Sequence, residues 1–314
     1  MGIIYYEPMI AWNGEEKGMK AREKRNPLDH NQKWALFFCA PNMLFFLVFF
    51  VVPASIGLWY SFTNYNGLKR MDYVGWANYA NLLHDSEFWM VLGNTVKYVL
   101  VSVPIGYVVS LLLALLLSDE TIKGNSFTRV LVYWPTLIST IMVGLTWKWI
   151  FSETFGVANY LLQAIGAEPV KWFSKSGPAF WTTVVASVWS GCGVSMLIFL
   201  GGIKQIPAEH YDAAKIDGAN RVQSFFAITL PALRPVSFMI IMTSIINAFK
   251  VFAMILTLTN GGPGTATTYI IQYIYTTGFD KMKVGYSSAA SMIMFVLLLV
   301  ISLIQTRINE RYSD

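Results

Sequence analysis

The chain is poor in charge and in the residues that carry chemistry. Only 13% of its 314 residues are charged, against 55% that are apolar. That balance excludes an ordinary water-soluble globule and points to the membrane class. The 2 cysteines, Cys39 and Cys192, both sit in apolar runs and read as small buried hydrophobes, without a disulfide framework or metal spacing. The 3 histidines, His30, His84 and His210, are scattered over different segments and offer no metal constellation. Neither a GxSxG elbow nor an HExxH helix occurs. No GxxxxGK[ST] pattern occurs either, so ATP binding through a P-loop is not expected. There is no internal repeat and no low-complexity tract. A net charge of +5 would suggest nucleic acid in a soluble chain. Here the better account is basic residues gathered on cytoplasmic segments, and no nucleic-acid partner is expected.

What the chain has is long apolar runs. Six are long enough to cross a hydrocarbon core, which needs about 20 helical residues. They run Trp34–Phe62, Val91–Ser118, Val130–Phe151, Ala179–Ile203, Val236–Leu258 and Tyr286–Gln305. Pro41 and Pro53 predict a tilt or kink in the first. Residues 1–33 are polar and basic, too long a charged region for a cleavable signal, and are expected to be a cytoplasmic tail. With the N-terminus inside, the cytoplasmic segments hold fourteen Lys and Arg, counting Lys123 and Arg311, against six outside, among them Lys69 and Arg70. By the positive-inside rule both termini are cytoplasmic. The expected fold is all-α and polytopic, with six transmembrane helices over residues 34–306 and a second tail at 307–314.

One polar stretch, Lys204–Pro235, lies between two apolar runs on the cytoplasmic side. Pro207 suits a helix start. Gly218 suits a left-handed cap. Asn220 with Gln223 reads as a capping box that opens a second helix. Val222, Phe225 and Phe226 give that helix an apolar face, and Leu230-Pro231 is expected to stop it. The prediction is helix, glycine turn, helix, with Ala213, Ala214 and Gly218 small enough to admit another backbone.

The spans carry polar stripes at helical spacing. Thr136, Thr140, Gly144 and Trp147 share a face in the third, with Lys148 beside them. Ser187, Ser190, Gly191 and Ser195 do so in the fourth, and Thr243, Ser244, Asn247 and Lys250 in the fifth. Asn94 and Lys97 lie near the outer end of the second. Such stripes serve either helix packing or a water-filled path. Lys250 lies eight residues from the expected outer end, roughly 12 Å at the helical rise, a long reach for a snorkelling lysine. It is therefore a candidate for a cavity or an inter-subunit contact. The outer loops hold Trp76, Tyr79, Phe88, Trp89, Trp172 and Phe173, which serve packing or a partner, and a turn at Gly261–Gly264.

The Lys204–Pro235 stretch resembles the EAA loop of ABC importer permeases. That loop reads EAA, three residues, Gly, nine residues, Ile, one residue, Leu-Pro. Here Asp212-Ala213-Ala214 is followed at the same spacing by Gly218, Ile228 and Leu230-Pro231, with Asp in place of Glu. Flanking stretches extend the likeness over residues 34–306. Thr259-Asn260-Gly261-Gly262-Pro263 with Thr267, Tyr275 and Phe279 is similar to the carbohydrate branch of the MalF/UgpA type. Ala253 departs from it, since relatives often carry Asp there.

The resemblance implies a multi-pass plasma-membrane (inner-membrane) subunit without catalytic residues of its own. Its partners would be a homologous second permease, two ATPase subunits that hold ATP and Mg, and an extracytoplasmic solute-binding protein. Asp212, Ala213, Ala214, Gly218, Ile228, Leu230 and Pro231 would couple it to an ATPase. Gly261, Gly262 and Pro263 would help dock the binding protein. Trp147, Ser190, Ser244, Asn247 and Lys250 are the candidates for the substrate path, and no residue is expected to bind metal. Rings and amides suit a sugar or oligosaccharide. Lys97 and Lys250 leave room for a polyol or glycerol-phosphate compound. A stand-alone channel or an intramembrane enzyme is the alternative of another class.

Overall fold

The computed structural model describes residues 30–68, 71–119 and 124–310. The basic residues expected at 1–29, and Lys69, Arg70, Lys123 and Arg311, lie outside that range. The described residues are helical, and the isolated bridge between Thr63 and Tyr73 is the only β pairing among them. The chain divides into two units at the Ala54–Ser55 bond.

The first unit holds α1 (His30–Phe46), which contains Pro41, and a π-helical turn, Leu47–Val51. Pro53 cannot donate back to the preceding turn, and just before it the Val52 N–H reaches the Leu47 carbonyl in the wider π pattern. The expected disturbance by proline is thus a π turn. Helical residues Trp34–Tyr60 are long and apolar enough to cross a membrane, and α2 (Val52–Tyr60) completes the run. Cys39 is exposed, not buried as expected, as are its neighbours Phe37 and Phe38 on this helix.

In the second unit α3 (Ala77–Leu83) leads to α4 (Ser86–Leu116), whose N-cap Asp85 accepts from the Glu87 and Phe88 amides. The third apolar run is not one helix. It comprises α5 (Asn125–Tyr133), a 3₁₀ turn Trp134–Leu137 and α6 (Thr140–Ile150), with a 102° bend. Pro135 and the extended Ile138 make that corner. After α7 (Val157–Ala164) comes α8 (Ser176–Lys204), the main partner of α4.

The polar loop holds α9 (Ala208–Ile216), α10 (Arg221–Ser224), a π turn Phe225–Thr229 and α11 (Leu230–Ala232). Leu230-Pro231 therefore does not stop the second helix. The π turn absorbs the missing proline N–H, since Leu230 N–H bonds the Phe225 carbonyl, and the helix runs on to Ala232. A 67° bend at Leu233 then opens α12 (Arg234–Phe249).

The fifth apolar run is also broken. Lys250–Phe252 separates α12 from α13 (Ala253–Leu258). Then come α14 (Ile270–Tyr275), a π turn Thr276–Asp280 and α15 (Val284–Glu310). α15 carries residues 307–310, which were expected to begin a tail. Four helices are long and apolar enough to span a membrane, or six if each bent pair is one span.

Two clusters form the core of this unit. Near the N-terminal end of α4, Phe88, Val91 and Tyr98 pack with Val184, Ile255, Leu258 and Tyr273. Toward the other end, Leu111 and Ala114 pack with Met196, Phe199, Leu233 and Ile240. Apolar burial alone drives little helix association in lipid, so close approach and hydrogen bonds matter more. Gly144 shows this. A Cβ there would run into the Thr257 hydroxyl and lie 2.7 Å from the Met254 carbonyl, so glycine is what lets α6 and α13 touch.

Candidate functional site

A cleft of about 620 Å³ opens where α4, the α5–α6 corner, α8 and α12 meet the Lys250–Phe252 break. It gathers Ser190, Ser244, Asn247 and Lys250, four of the five residues expected on a substrate path. The stripe companions Thr136, Thr140, Ser187, Gly191, Ser195 and Thr243 line it as well.

The fifth, Trp147, is elsewhere. It lines a separate apolar pocket with Trp181 and Trp189, stacks on Phe151 at 5.3 Å and meets Trp189 edge-on at 5.6 Å. The reason is the bend. An unbroken helix would keep Thr136, Thr140, Gly144 and Trp147 on one face, but the 102° corner between Leu137 and Thr140 resets the direction of everything after it. Lys97 is also outside the cleft, with its ammonium 4.8 Å from the Phe180 ring centre.

The polar groups of the cleft fall into two sets. Several on α4, α8 and the corner before α6 are engaged: Tyr98 and Ser187 share a hydroxyl hydrogen bond, Ser190 donates to the Ser187 carbonyl at 3.1 Å, and Thr136 donates to the Ser190 carbonyl at 3.1 Å. On α12 Thr243 bonds carbonyls of its own helix, but the next three polar groups stand apart. Ser244 is half-buried, Asn247 and Lys250 are exposed, and none of their side chains has a protein partner among the described residues. They stand three residues apart on one face, as donors and acceptors awaiting something else. No Asp or Glu lines the cleft, so Lys250 is its charge.

Sequence reasoning missed the α4 wall. Tyr98, Ser102, Gly106 and Ser110 all line the cleft and recur every fourth residue, a helical stripe the sequence displays openly. Phe252 was also missed, because a continuous fifth helix gave it no reason to face inward.

The Lys204–Pro235 loop is built largely as its sequence indicates. Gly218 has φ +79°, the Ala219 amide reaches the Ala214 carbonyl at 2.8 Å, and the Gly218 amide reaches the Lys215 carbonyl at 3.1 Å. These two bonds are the Schellman cap of α9. The Asn220–Gln223 capping box is complete. Asp212 and Ala213 are exposed, Ala214, Ile228, Leu230 and Pro231 are half-buried, and Asp212 lies 3.4 Å from Lys215. Ile216, Val222 and Phe226 are exposed at 87%, 64% and 61%, an apolar surface on a rigid corner.

At the opposite end of the spans, the aromatic loops mostly pack. Tyr79 OH meets Ser61 Oγ at 2.7 Å, Trp172 donates to Asn159 at 2.9 Å, and Phe88 is buried. Gly261 is buried at φ +84°, while Gly262 and Pro263 are half-buried. Asp85 ties three elements together: one carboxylate oxygen takes backbone amides of α4, and the other accepts from Tyr273 and Tyr286 at 2.7 and 2.8 Å. Burial pushes its pKa up, but the tyrosine hydroxyls and the two amides outweigh that and hold it below the ordinary 3.8. Among the described residues no group of His, Cys, Asp and Glu is placed to hold a metal.

The comparisons agree with this architecture. The family described as binding-protein-dependent transport system inner membrane component matches residues 35–314. The probable ABC transporter permease protein YesP of Bacillus subtilis is 36% identical over 300 residues, covering 94% of this chain and 95% of that one. The trehalose/maltose transport system permease protein MalF of Thermococcus litoralis is 34% identical over 275 residues, covering 87% of this chain and 92% of that one. A bacterial alginate ABC transporter, solved with an alginate pentasaccharide-bound periplasmic protein, superposes with a TM-score of 0.80 at 26% identity, over 90% of this chain and 96% of that one. The chain therefore belongs to the binding-protein-dependent transport system inner membrane components, the permease subunits of ABC transporters.

Proposed function

We propose that this chain is a saccharide-importing permease subunit that crosses the membrane six times with both termini in the cytoplasm. The residues before 34 form its cytoplasmic tail. A homologous second permease completes the path, two ATPase subunits hold ATP and Mg, and an extracytoplasmic binding protein delivers the sugar or oligosaccharide.

The observation that carries the substrate class is the row of unpartnered polar side chains, Ser244, Asn247 and Lys250, in a cleft beside a helix break. A hydroxyl, an amide and an ammonium without protein partners suit a ligand made of hydroxyl groups. Two similar proteins carry names that point the same way, trehalose/maltose for one and alginate for the other.

The loop around Gly218 is the coupling element in this reading. Ile216, Val222 and Phe226 supply the apolar contact with an ATPase, and Asp212 the charge at its edge. Closure of the ATPases moves α9–α11, and the bend at Leu233 passes the motion to α12, which carries Thr243, Ser244 and Asn247 into the cleft. Gly262 and Pro263 belong to the binding-protein face, with Gly261 holding their turn.

The test is uptake by proteoliposomes that hold both permeases, the ATPases and the binding protein. Saccharide uptake should need ATP, and Asn247→Leu should abolish it while the complex still assembles. Uptake or turnover by this chain alone would instead make it a channel or an enzyme. Lys250 favours one second reading, an anionic glycerol-phosphate compound, which the same vesicles would distinguish by competition.

A further inference from the structure

Three aromatic rings stand in file beside the cleft. Phe252, in the break between α12 and α13, lines the cleft itself. Its ring centre lies 5.0 Å from that of Tyr275, which lies 5.1 Å from that of Phe279. Exposure grows along the row: Phe252 is half-buried, Tyr275 is 40% exposed and Phe279 is 69% exposed. The rings are tilted by 41° and 33°, not set edge to face as core aromatics often are.

The backbone explains how the row arises. Tyr275 and Phe279 are four residues apart, and the π turn Thr276–Asp280 begins between them. It ends with the Lys281 amide on the Thr276 carbonyl at 2.8 Å. π turns of this kind recur at functional sites, where they re-aim side chains. The segment is anchored just ahead of the two exposed rings. The Ile270 amide donates to Thr95 at 2.9 Å, and Tyr273 is tied to Asp85. Rings this exposed on a segment this firmly anchored contribute little to its folding.

We propose that Phe252, Tyr275 and Phe279 form an aromatic track that leads a saccharide from the outer face into the cleft. The proposal rests on the saccharide reading above. A pyranose presents a face of C–H groups that stacks on an aromatic ring, while its hydroxyls stay hydrated at the edge. The row reaches at most about 10 Å from Phe252 to Phe279, the length of a short run of linked pyranoses. Each stacking contact is weak and alike, so a chain can pass from ring to ring without being trapped. At the inner end the ligand meets Asn247 and Lys250, whose polar groups replace water. The ligand class is a linear oligosaccharide of pyranose units.

The experiment compares Tyr275→Leu and Phe279→Leu with Tyr275→Phe and Phe279→Tyr in the assembled transporter, using a disaccharide and a tetrasaccharide that the binding protein accepts. Leucine keeps apolar contact and removes the ring face. The leucine variants should raise KM for the tetrasaccharide by roughly three- to tenfold, with a smaller change for the disaccharide, and the aromatic exchanges should restore it. Leucine variants that transport both sugars normally would overturn the track and leave the saccharide reading standing. Equal losses with leucine and with the aromatic exchanges, or loss of assembly, would overturn it in favour of a subunit contact. A wild-type transporter that takes up no saccharide would sink both readings together.

Discussion

Substitution of Gly218 separates two reasons for a glycine at that corner. The first is local. Gly218 has φ +79°, a region costing most residues about 1 kcal/mol or somewhat more. Asparagine adopts it more readily than alanine does. The second is external: a Cβ built on Gly218 meets nothing of this chain within 4 Å, so any steric penalty must come from a partner. The two reasons rank the variants oppositely. For backbone strain alone, Gly218→Ala is worse than Gly218→Asn. For close approach of an ATPase, the bulkier Asn is worse. The isolated chain in detergent should therefore melt lower with Ala than with Asn, by no more than about 1 kcal/mol of stability. In proteoliposomes with the ATPases and loaded binding protein, sugar-stimulated ATP hydrolysis should fall further with Asn. If stimulation follows the melting order instead, the glycine serves only its own turn and the docking surface lies elsewhere.

Four other outcomes follow from the packing and charge. Asp85→Ala removes an N-cap worth about 1 kcal/mol together with the tyrosine anchors, and should lower the melting temperature of the purified chain. Because the Asp85 pKa is held below 3.8, its stabilisation is present above that pH and is lost as pH falls through the folded value; melting curves of wild type and Asp85→Asn should converge there. Gly144→Ala forces a methyl against the Met254 carbonyl and the Thr257 hydroxyl, costing about 1–3 kcal/mol, and should slow uptake by spreading α6 from α13 while Gly201→Ala, with open space around it, should not. Lys250→Gln should raise KM for a uronate-bearing oligosaccharide about tenfold and leave a neutral one within twofold, read by competitive uptake.

The Lys204–Pro235 loop was almost wholly legible because its signals are local. Pro207, Gly218 and the Asn220–Gln223 pair each act within one turn of backbone, so neighbours in sequence decide the outcome. Only the end of the second helix escaped. A π turn that accommodates Pro231 has no composition of its own and depends on how Thr229 and Leu233 are seated against the bundle. The stripes on α8 and α12 were legible as well, since both are straight over the relevant turns and periodicity survives.

Breaks inside apolar runs are another matter, and Lys250 shows why. Hydropathy reports whether a segment can sit in lipid, not whether its hydrogen bonds run without interruption. Lys250-Val251-Phe252 contains neither glycine nor proline, so nothing local announces that α12 ends at Phe249. The interruption is tertiary. Gly144 holds α13 against α6, while Ile240 and Phe249 hold α12 in the two core clusters, and the two attachments do not share one helical axis. On a continuous helix Lys250 faces a long snorkel to water. At the end of α12 it lines a cleft instead, and as the C-cap residue it occupies the end of the helix where the dipole favours a cation. Part of the expense of an ionised group at that depth is thereby met by the backbone itself. The break is thus also what makes a lysine tolerable there, and it turns Phe252 toward the same cavity.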